Sequence, residues 1–231
     1  MKNKCISFVI PCYNSELTIR NVVGEVIREV SKQEEYQYEI ILVNDGSRDG
    51  TGDVIKQLAE ENDNIAAVLF AKNFGQHAAL MAGFCKVMGE YVVCLDDDGQ
   101  MPIESIFDLI AELERGADVA FGRYEDTQQN VKMTEMLLEK PKDLYMSSFW
   151  AGKRFVIDEI CKYESAYPYV GGLLLRTTHN MVSIIHTILF YGIHSRIHIS
   201  TTTVEVGGMH MDYQRFTGYL FGMNTRRIGQ P

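Results

Sequence analysis

The chain has 231 residues, 46% of them hydrophobic, and carries 22 Lys and Arg against 31 Asp and Glu for a formal charge of -9. That length and apolar content are enough to bury a core, which excludes a wholly disordered chain and fits one large domain or one domain with an appendage. The acidic balance argues against a nucleic-acid partner, so a phosphate-bearing substrate has to be met by a metal or by local cations.

In chain order, short β-branched runs alternate with amphipathic helical patterns, the signature of a parallel sheet with helices on both faces. Ile6 to Ile10 reads as a first strand, and Glu16 to Ser31 as a helix with Ile19, Val22, Val23, Val26, Ile27 and Val30 on its apolar face. Glu39 to Val43 reads as a second strand before a helix from Gly52 to Glu61. Ile65 to Phe70 reads as a third before a helix from Gln76 to Met88. Tyr91 to Leu95 is the expected fourth strand, followed by a helix from Ile103 to Arg115 and a fifth strand from Asp118 to Gly122. Beyond it, Val131 to Leu138 and Lys153 to Tyr163 read as helices and Ile197 to Val206 as a strand, while the chain after about Asn180 has no clear period. The expected fold is α/β, a Rossmann-like, doubly wound, mostly parallel sheet over residues 1–180, with an appendage over 181–231.

The apolar stretch Met181 to Tyr191 is broken by His186 and is shorter than the ~20 residues of a membrane helix, so no transmembrane helix is expected. The N-terminus runs into the first strand without a signal-peptide pattern. The five cysteines, Cys5, Cys12, Cys85, Cys94 and Cys161, are scattered and lack zinc spacing. They read as buried thiols of a reducing compartment, and cytoplasmic residence is the expectation.

Each of the first four expected strands ends in a polar or Gly-rich cluster: Pro11 to Asn14, Asn44 to Ser47, Lys72 to Gly75 and Asp96 to Gln100. In open α/β sheets ligands sit beyond the carboxyl ends of the strands, so the four clusters should converge on one crevice. Alternation aims Asp96 and Asp98 to one side, and two hard oxygen ligands suit Mg2+ or Mn2+ with phosphates completing the shell. Gln100, in phase with them, can add an oxygen or a hydrogen bond. Three adjacent carboxylates after a buried strand are costly without a cation, although a solvated acidic turn would share the pattern. Asp45 can accept hydrogen bonds from a base or ribose, and Gly46 allows close backbone approach. Ser47, Asp49 and Thr51 also suit turn and N-cap roles. Tyr13 and Asn14 offer a stacking face and an amide.

The ordered series Val9-Ile10-Pro11-Cys12-Tyr13-Asn14, Val43-Asn44-Asp45-Gly46-Ser47, Asn73-Phe74-Gly75 and Asp96-Asp97-Asp98-Gly99-Gln100-Met101-Pro102 resembles family 2 glycosyltransferases of the GT-A fold. It is most similar to their polyprenyl-phosphate branch, the dolichol-phosphate mannose synthases and bacterial undecaprenyl-phosphate sugar transferases. The resemblance covers residues 4–124 strongly and 131–180 weakly. It implies a metal-dependent inverting transfer of a sugar from a UDP- or GDP-linked donor to a lipid phosphate, by an enzyme held peripherally at the inner face of the membrane. Pro11, Tyr13, Asn14 and Asp45 would then contact the nucleoside, with Ser47, Asn73 and Gly75 in the motifs around it. Asp96, Asp98 and Gln100 would hold the metal and diphosphate. Glu16 would lie near the nucleotide, although Ser15 occupies the position where family members often carry glutamate. Arg123 resembles the arginine near the acceptor phosphate, and is otherwise a surface charge after a strand. Asp97 is the nearest base if the acceptor is a hydroxyl.

The resemblance weakens in two places. Glu125 to Asn130 is short and acidic where members carry a basic acceptor-binding segment, and Ser183 to Thr187 lacks the His/Arg/Gly/Ser/Tyr motif of many relatives. Transfer to a polysaccharide hydroxyl, or nucleotide-sugar binding by a remnant without its acceptor region, therefore stand as alternatives. Trp150 and Lys153 could touch sugar or phosphate or simply pack, and His77 and His179 read as structural or solvated. Oligomeric state is not legible.

Overall fold

The computed structural model describes residues 4–124, 140–141, 144–165 and 167–186, with the backbone of three short strands beyond them. The helix expected over Val131 to Leu138 and the segment Glu125 to Asn130 lie outside the described residues. The run from Lys4 to Cys12 forms β1, whose alternation splits the molecule into two cores. Ile6, Phe8, Ile10 and Cys12 face one layer of helices and Val9 faces the other. β2 (Tyr36–Asn44) repeats the pattern, with Ile40 and Leu42 on the first face and Ile41 and Val43 on the second. Strands buried on both faces explain the near-continuous apolar runs in the sequence.

The first face is covered by α1 (Ile19–Val30), α2 (Thr51–Glu61) and α4 (Ile106–Glu114). α1 inserts Val22, Val23 and Val26, and α4 inserts Ile106, Leu109 and Ile110. The second face is covered by α3 (Gln76–Phe84), α5 (Arg154–Ile160) and α6 (Val170–Thr177), through Ala79, Leu80, Phe84, Val156, Ile157 and Leu174. Between the layers lie β1, β2, β3 (Ile65–Leu69), β4 (Tyr91–Cys94), β5 (Val119–Tyr124), β6 (Trp150–Lys153) and β7 (Met181–His186), in the order β3-β2-β1-β4-β6-β5-β7. All pairings are parallel except those of β6, which runs antiparallel to both β4 and β5. The chain leaves β1 toward β2 and β3, then returns to place β4 on its other side. That reversal of strand order opens a crevice at the carboxyl ends of β1 and β4.

The doubly wound α/β expectation is met by this sheet, with several corrections to its elements. The helix expected from Glu16 begins at Ile19, because Ser15 to Thr18 forms a turn first. The helix expected to reach Met88 ends at Phe84. The helix expected from Lys153 begins at Arg154, since Trp150 to Lys153 is spent on β6. β6, α6 and β7 escaped the sequence reading, and β7 carries the main sheet past Asn180 by pairing in parallel with β5.

The chain divides into two compact units, Met1–His186 and Thr187–Pro231. In the second, β8 (Ile199–Ser200), β9 (Thr203–Val206) and β10 (Met209–Asp212) form an antiparallel sheet in the order β10-β9-β8. The single strand expected from Ile197 to Val206 is thus two paired strands. Among the described residues no helix is long and apolar enough to cross a membrane.

Candidate active site

Four loops meet at the carboxyl edge, and their own side chains knit them together. Asn14 adopts φ 55°, a left-handed conformation that asparagine tolerates better than most residues. Its Oδ1 accepts the Arg48 N–H at 3.1 Å, while its own N–H donates to Ser47 Oγ at 3.0 Å. Ser47 Oγ in turn donates to Asn44 Oδ1 at 2.6 Å. Glu16 accepts the Gly50 N–H, and the Ser15 N–H donates to Thr51 Oγ1 at 2.8 Å. Asn14, Glu16 and Ser47 therefore join the loop after β1 to the loop after β2, and none of the three lines the crevice.

Asp45 does line it, yet is only 3% exposed. Its two carboxylate oxygens accept the Phe74 N–H at 2.7 Å and the Gly75 N–H at 2.9 Å, pinning the loop between β3 and α3. Gly46, at φ 64°, makes this approach possible. A Cβ there would stand 2.3 Å from the Lys72 carbonyl carbon and 2.5 Å from the Asn73 nitrogen. Asp97 Oδ2 accepts the Tyr13 N–H at 2.9 Å, which fastens the acidic loop to the end of β1.

The resulting crevice has a volume of about 370 Å³, within the range of small-molecule sites. Pro11, Tyr13, Asp45, Asn73, Gly75, Asp96, Asp97 and Asp98 all line it, so the expected convergence of the four strand-end clusters is met. Gln100 is exposed and outside the lining, where its backbone N–H donates to Asp98 Oδ1 at 3.0 Å. Arg123 falls in β5, in register with Ile185 and separated from β4 by β6, and its side chain lies outside the described residues. Cys12 and Gln76 line the crevice too and were missed. Gln76 had a signal in its place directly after Asn73-Phe74-Gly75.

Asp96 is held from two sides. Gln76 Nε2 donates to Oδ1 at 2.9 Å and Ser148 Oγ to Oδ2 at 2.6 Å. Burial nevertheless raises the pKa of this carboxyl above the usual carboxylate range, with Asp98 and Asp97 adding to the rise and Ser148 and Gln76 opposing it. Among the described residues no Lys, Arg or His forms an ion pair with Asp96, Asp97 or Asp98. Nor do three His, Cys, Asp or Glu side chains there form a ready-made metal shell. Two aspartates facing a crevice fit a divalent cation that draws its other oxygens from water and a diphosphate.

Across Pro11, Gln76 and Asp96 lies a second cavity of about 180 Å³, walled by His77, Met146, Ser148, Trp150, Tyr169 and Gly171. Trp150 is buried against Phe84 and Phe121, which makes packing its main role. The His77 and Tyr169 rings meet at right angles with centroids 5.2 Å apart, and burial lowers the His77 pKa.

A crevice walled by carboxylates at the switch point of an open, mostly parallel sheet is a ligand site of the doubly wound α/β class, and comparison with known proteins supplies the family. Residues 7–175 match the Glycosyl transferase family 2 description, and the chain belongs to that family. Two undecaprenyl-phosphate 4-deoxy-4-formamido-L-arabinose transferases of Pseudomonas fluorescens are 34% identical over 189 residues and 43% identical over 196. These alignments cover 75% and 77% of this chain but 55% and 56% of the relatives. The chain thus spans about half the length of the curated relatives it matches. Among solved structures, Mycobacterium tuberculosis glucosyl-3-phosphoglycerate synthase in complex with Mn2+, uridine diphosphate and phosphoglyceric acid superposes with a TM-score of 0.61. At 20% identity over 79% of this chain and 68% of that one, it shows the shared GT-A fold.

Proposed function

We propose that the chain carries the donor half of a metal-dependent, inverting transfer of a sugar from a UDP- or GDP-linked donor to a polyprenyl phosphate. The observation that carries this reading is the wall of three carboxylates without a cationic partner among the described residues, beside a crevice of nucleotide size. The names of the relatives support the acceptor, and Mn2+ and uridine diphosphate in the structural neighbour support the donor side.

In this assignment Tyr13 and Pro11 flank the base, Asp45 and the Asn73-to-Gly75 loop border the nucleoside, and Asp96 and Asp98 supply the metal-binding oxygens. Mg2+ or Mn2+ held by these oxygens would supply the positive charge that offsets the charge developing on a leaving diphosphate. Asp97 holds Tyr13 and so acts as a positioning residue. A lipid phosphate is already anionic at neutral pH and needs little help from a base. Its oxygen attacks the anomeric carbon as the bond to the diphosphate breaks on the opposite side. The second cavity, reached across Asp96, takes the sugar ring against Tyr169 and Met146. Placement at a membrane surface follows from the lipid acceptor and is part of the same proposal.

The test is sugar transfer from UDP- and GDP-linked donors to a short polyprenyl phosphate with Mn2+, comparing the full chain with Asp98→Asn. A fall in kcat of about 100-fold or more is expected for loss of one transition-state charge partner. Activity near that of the unmodified chain would remove the metal role. Metal-dependent nucleotide-sugar binding without turnover on any polyprenyl phosphate would favour a chain that lacks its acceptor region.

A further inference from the structure

The five thiols do not share one environment. Cys12 and Cys94 are buried, Cys5 and Cys161 are half-buried, and Cys85 is exposed. The expectation of buried thiols holds only for Cys12 and Cys94, and that of scattered thiols fails at one pair. Cys85 and Cys161, 76 positions apart in the chain, bring their sulfurs within 3.8 Å. Each caps a helix end on the same face of the sheet. The Cys85 N–H donates to the Met81 carbonyl at the end of α3, and the Cys161 N–H to the Ile157 carbonyl at the end of α5. Both sulfurs therefore hang from anchored backbone, and a disulfide requires them to close by about 1.8 Å, the order of movement that side-chain rotation provides.

The geometry points to Cys85 and Cys161 as a modification site: a dithiol that closes to an intramolecular disulfide by exchange with a low-molecular-weight disulfide. The exposed Cys85 thiolate attacks one sulfur of the small disulfide and releases its other half as a thiolate, leaving a mixed disulfide. Cys161 then gives its proton to water and attacks Cys85 Sγ, expelling the second half. Two protein thiols are oxidised and one small disulfide is reduced to two thiols, so atoms and electrons balance. Burial, followed by the neighbouring Cys85, pushes the Cys161 thiol up to about 12. Cys161 is therefore the second thiol to react, and its attack is driven by proximity rather than acidity. The bond would staple the far end of α3, the helix whose first residue, Gln76, holds Asp96. This site stands on its own geometry and does not depend on the nucleotide-sugar assignment.

The experiment treats the full chain with oxidised glutathione at pH 8, quenches with acid, alkylates free thiols and maps the peptides without reduction. Expected are a Cys85-to-Cys161 linked peptide, loss of two titratable thiols per chain and no retained glutathione. The melting temperature should rise by about 5 °C or more, because the closed loop is long, and reductant should reverse the rise. Cys161→Ser should keep glutathione on Cys85 and gain no melting temperature. A wild-type chain that holds glutathione on Cys85 while Cys161 is alkylated overturns the proposal. So does a bond formed between two chains, or a cross-link that lowers the melting temperature.

Discussion

Asp96 is partly withdrawn from water, accepts hydrogen bonds from Gln76 and Ser148, and still has its pKa raised by burial and by two neighbouring aspartates. A carboxyl whose folded pKa lies above its unfolded value binds protons more tightly when folded. Stability therefore falls as pH rises from the ordinary aspartate range through the raised folded value, and the loss persists at neutral pH. In the proposed assignment a cation at Asp96 and Asp98 would remove that cost. We predict that Asp96→Asn melts at the same temperature as the metal-free chain or higher at pH 7, and loses the stabilisation that Mn2+ with uridine diphosphate gives the unmodified chain. Thermal unfolding with and without the pair of ligands reads both effects. A destabilised variant that keeps its ligand response would contradict the assignment. Asp45 behaves differently, because its oxygens are already engaged by the Phe74 and Gly75 amides. Asp45→Asn must turn an NH2 toward one of those donors, at a cost of about 1–3 kcal/mol in urea unfolding. Nucleotide affinity should fall with it, since the Asn73-to-Gly75 wall is released.

At the level of elements, the crevice depends on backbone approaching backbone. Gly46→Ala places a methyl within 2.5 Å of two backbone atoms in the loop after β3, on a residue whose φ is already positive. Neither loop can yield without breaking the Asp45 clamp. We expect a loss of about 2–4 kcal/mol of stability and at least a tenfold weaker affinity for uridine diphosphate with Mn2+, measured by urea unfolding and calorimetry. Unchanged affinity would mean that the two loops do not together shape the site. The same region marks how far the sequence could be read. β1 to β5 were legible because their runs are apolar and the first four end in polar or Gly clusters, and most helices between them carry clear apolar periods. β6 was not, because Trp150-Ala151-Gly152-Lys153 has too few β-branched residues to announce a strand, and its antiparallel pairing with β4 and β5 is decided by tertiary packing of Trp150. α6 was hidden by Gly171 and Gly172 in its first turn. Within the site, convergence of the four clusters was legible from topology. The division between lining residues such as Asp45 and stitching residues such as Asn14, Glu16 and Ser47 was not, since it depends on which loop each side chain reaches across to.

On the scale of the whole molecule, every residue lining the crevice falls between Pro11 and Asp98, and the compact unit that contains them closes at His186 with two cores of its own. The net charge of -9 adds a global repulsion to the local one, so a diphosphate approaches this surface favourably only with a cation in place. Two outcomes follow for the nucleotide. In EDTA, affinity for uridine diphosphate should fall by about 100-fold or more, and added NaCl should recover little of it, because screening shortens the reach of the field without supplying an ion that bridges carboxylate and phosphate. A chain ending at His186 should unfold in one cooperative transition and bind uridine diphosphate with Mn2+ within about threefold of the full chain, a difference below 1 kcal/mol. Calorimetry on both chains measures this directly. If the shortened chain unfolds cooperatively but fails to bind, residues beyond His186 must complete the donor site, and the assignment of that site to the first unit alone is lost.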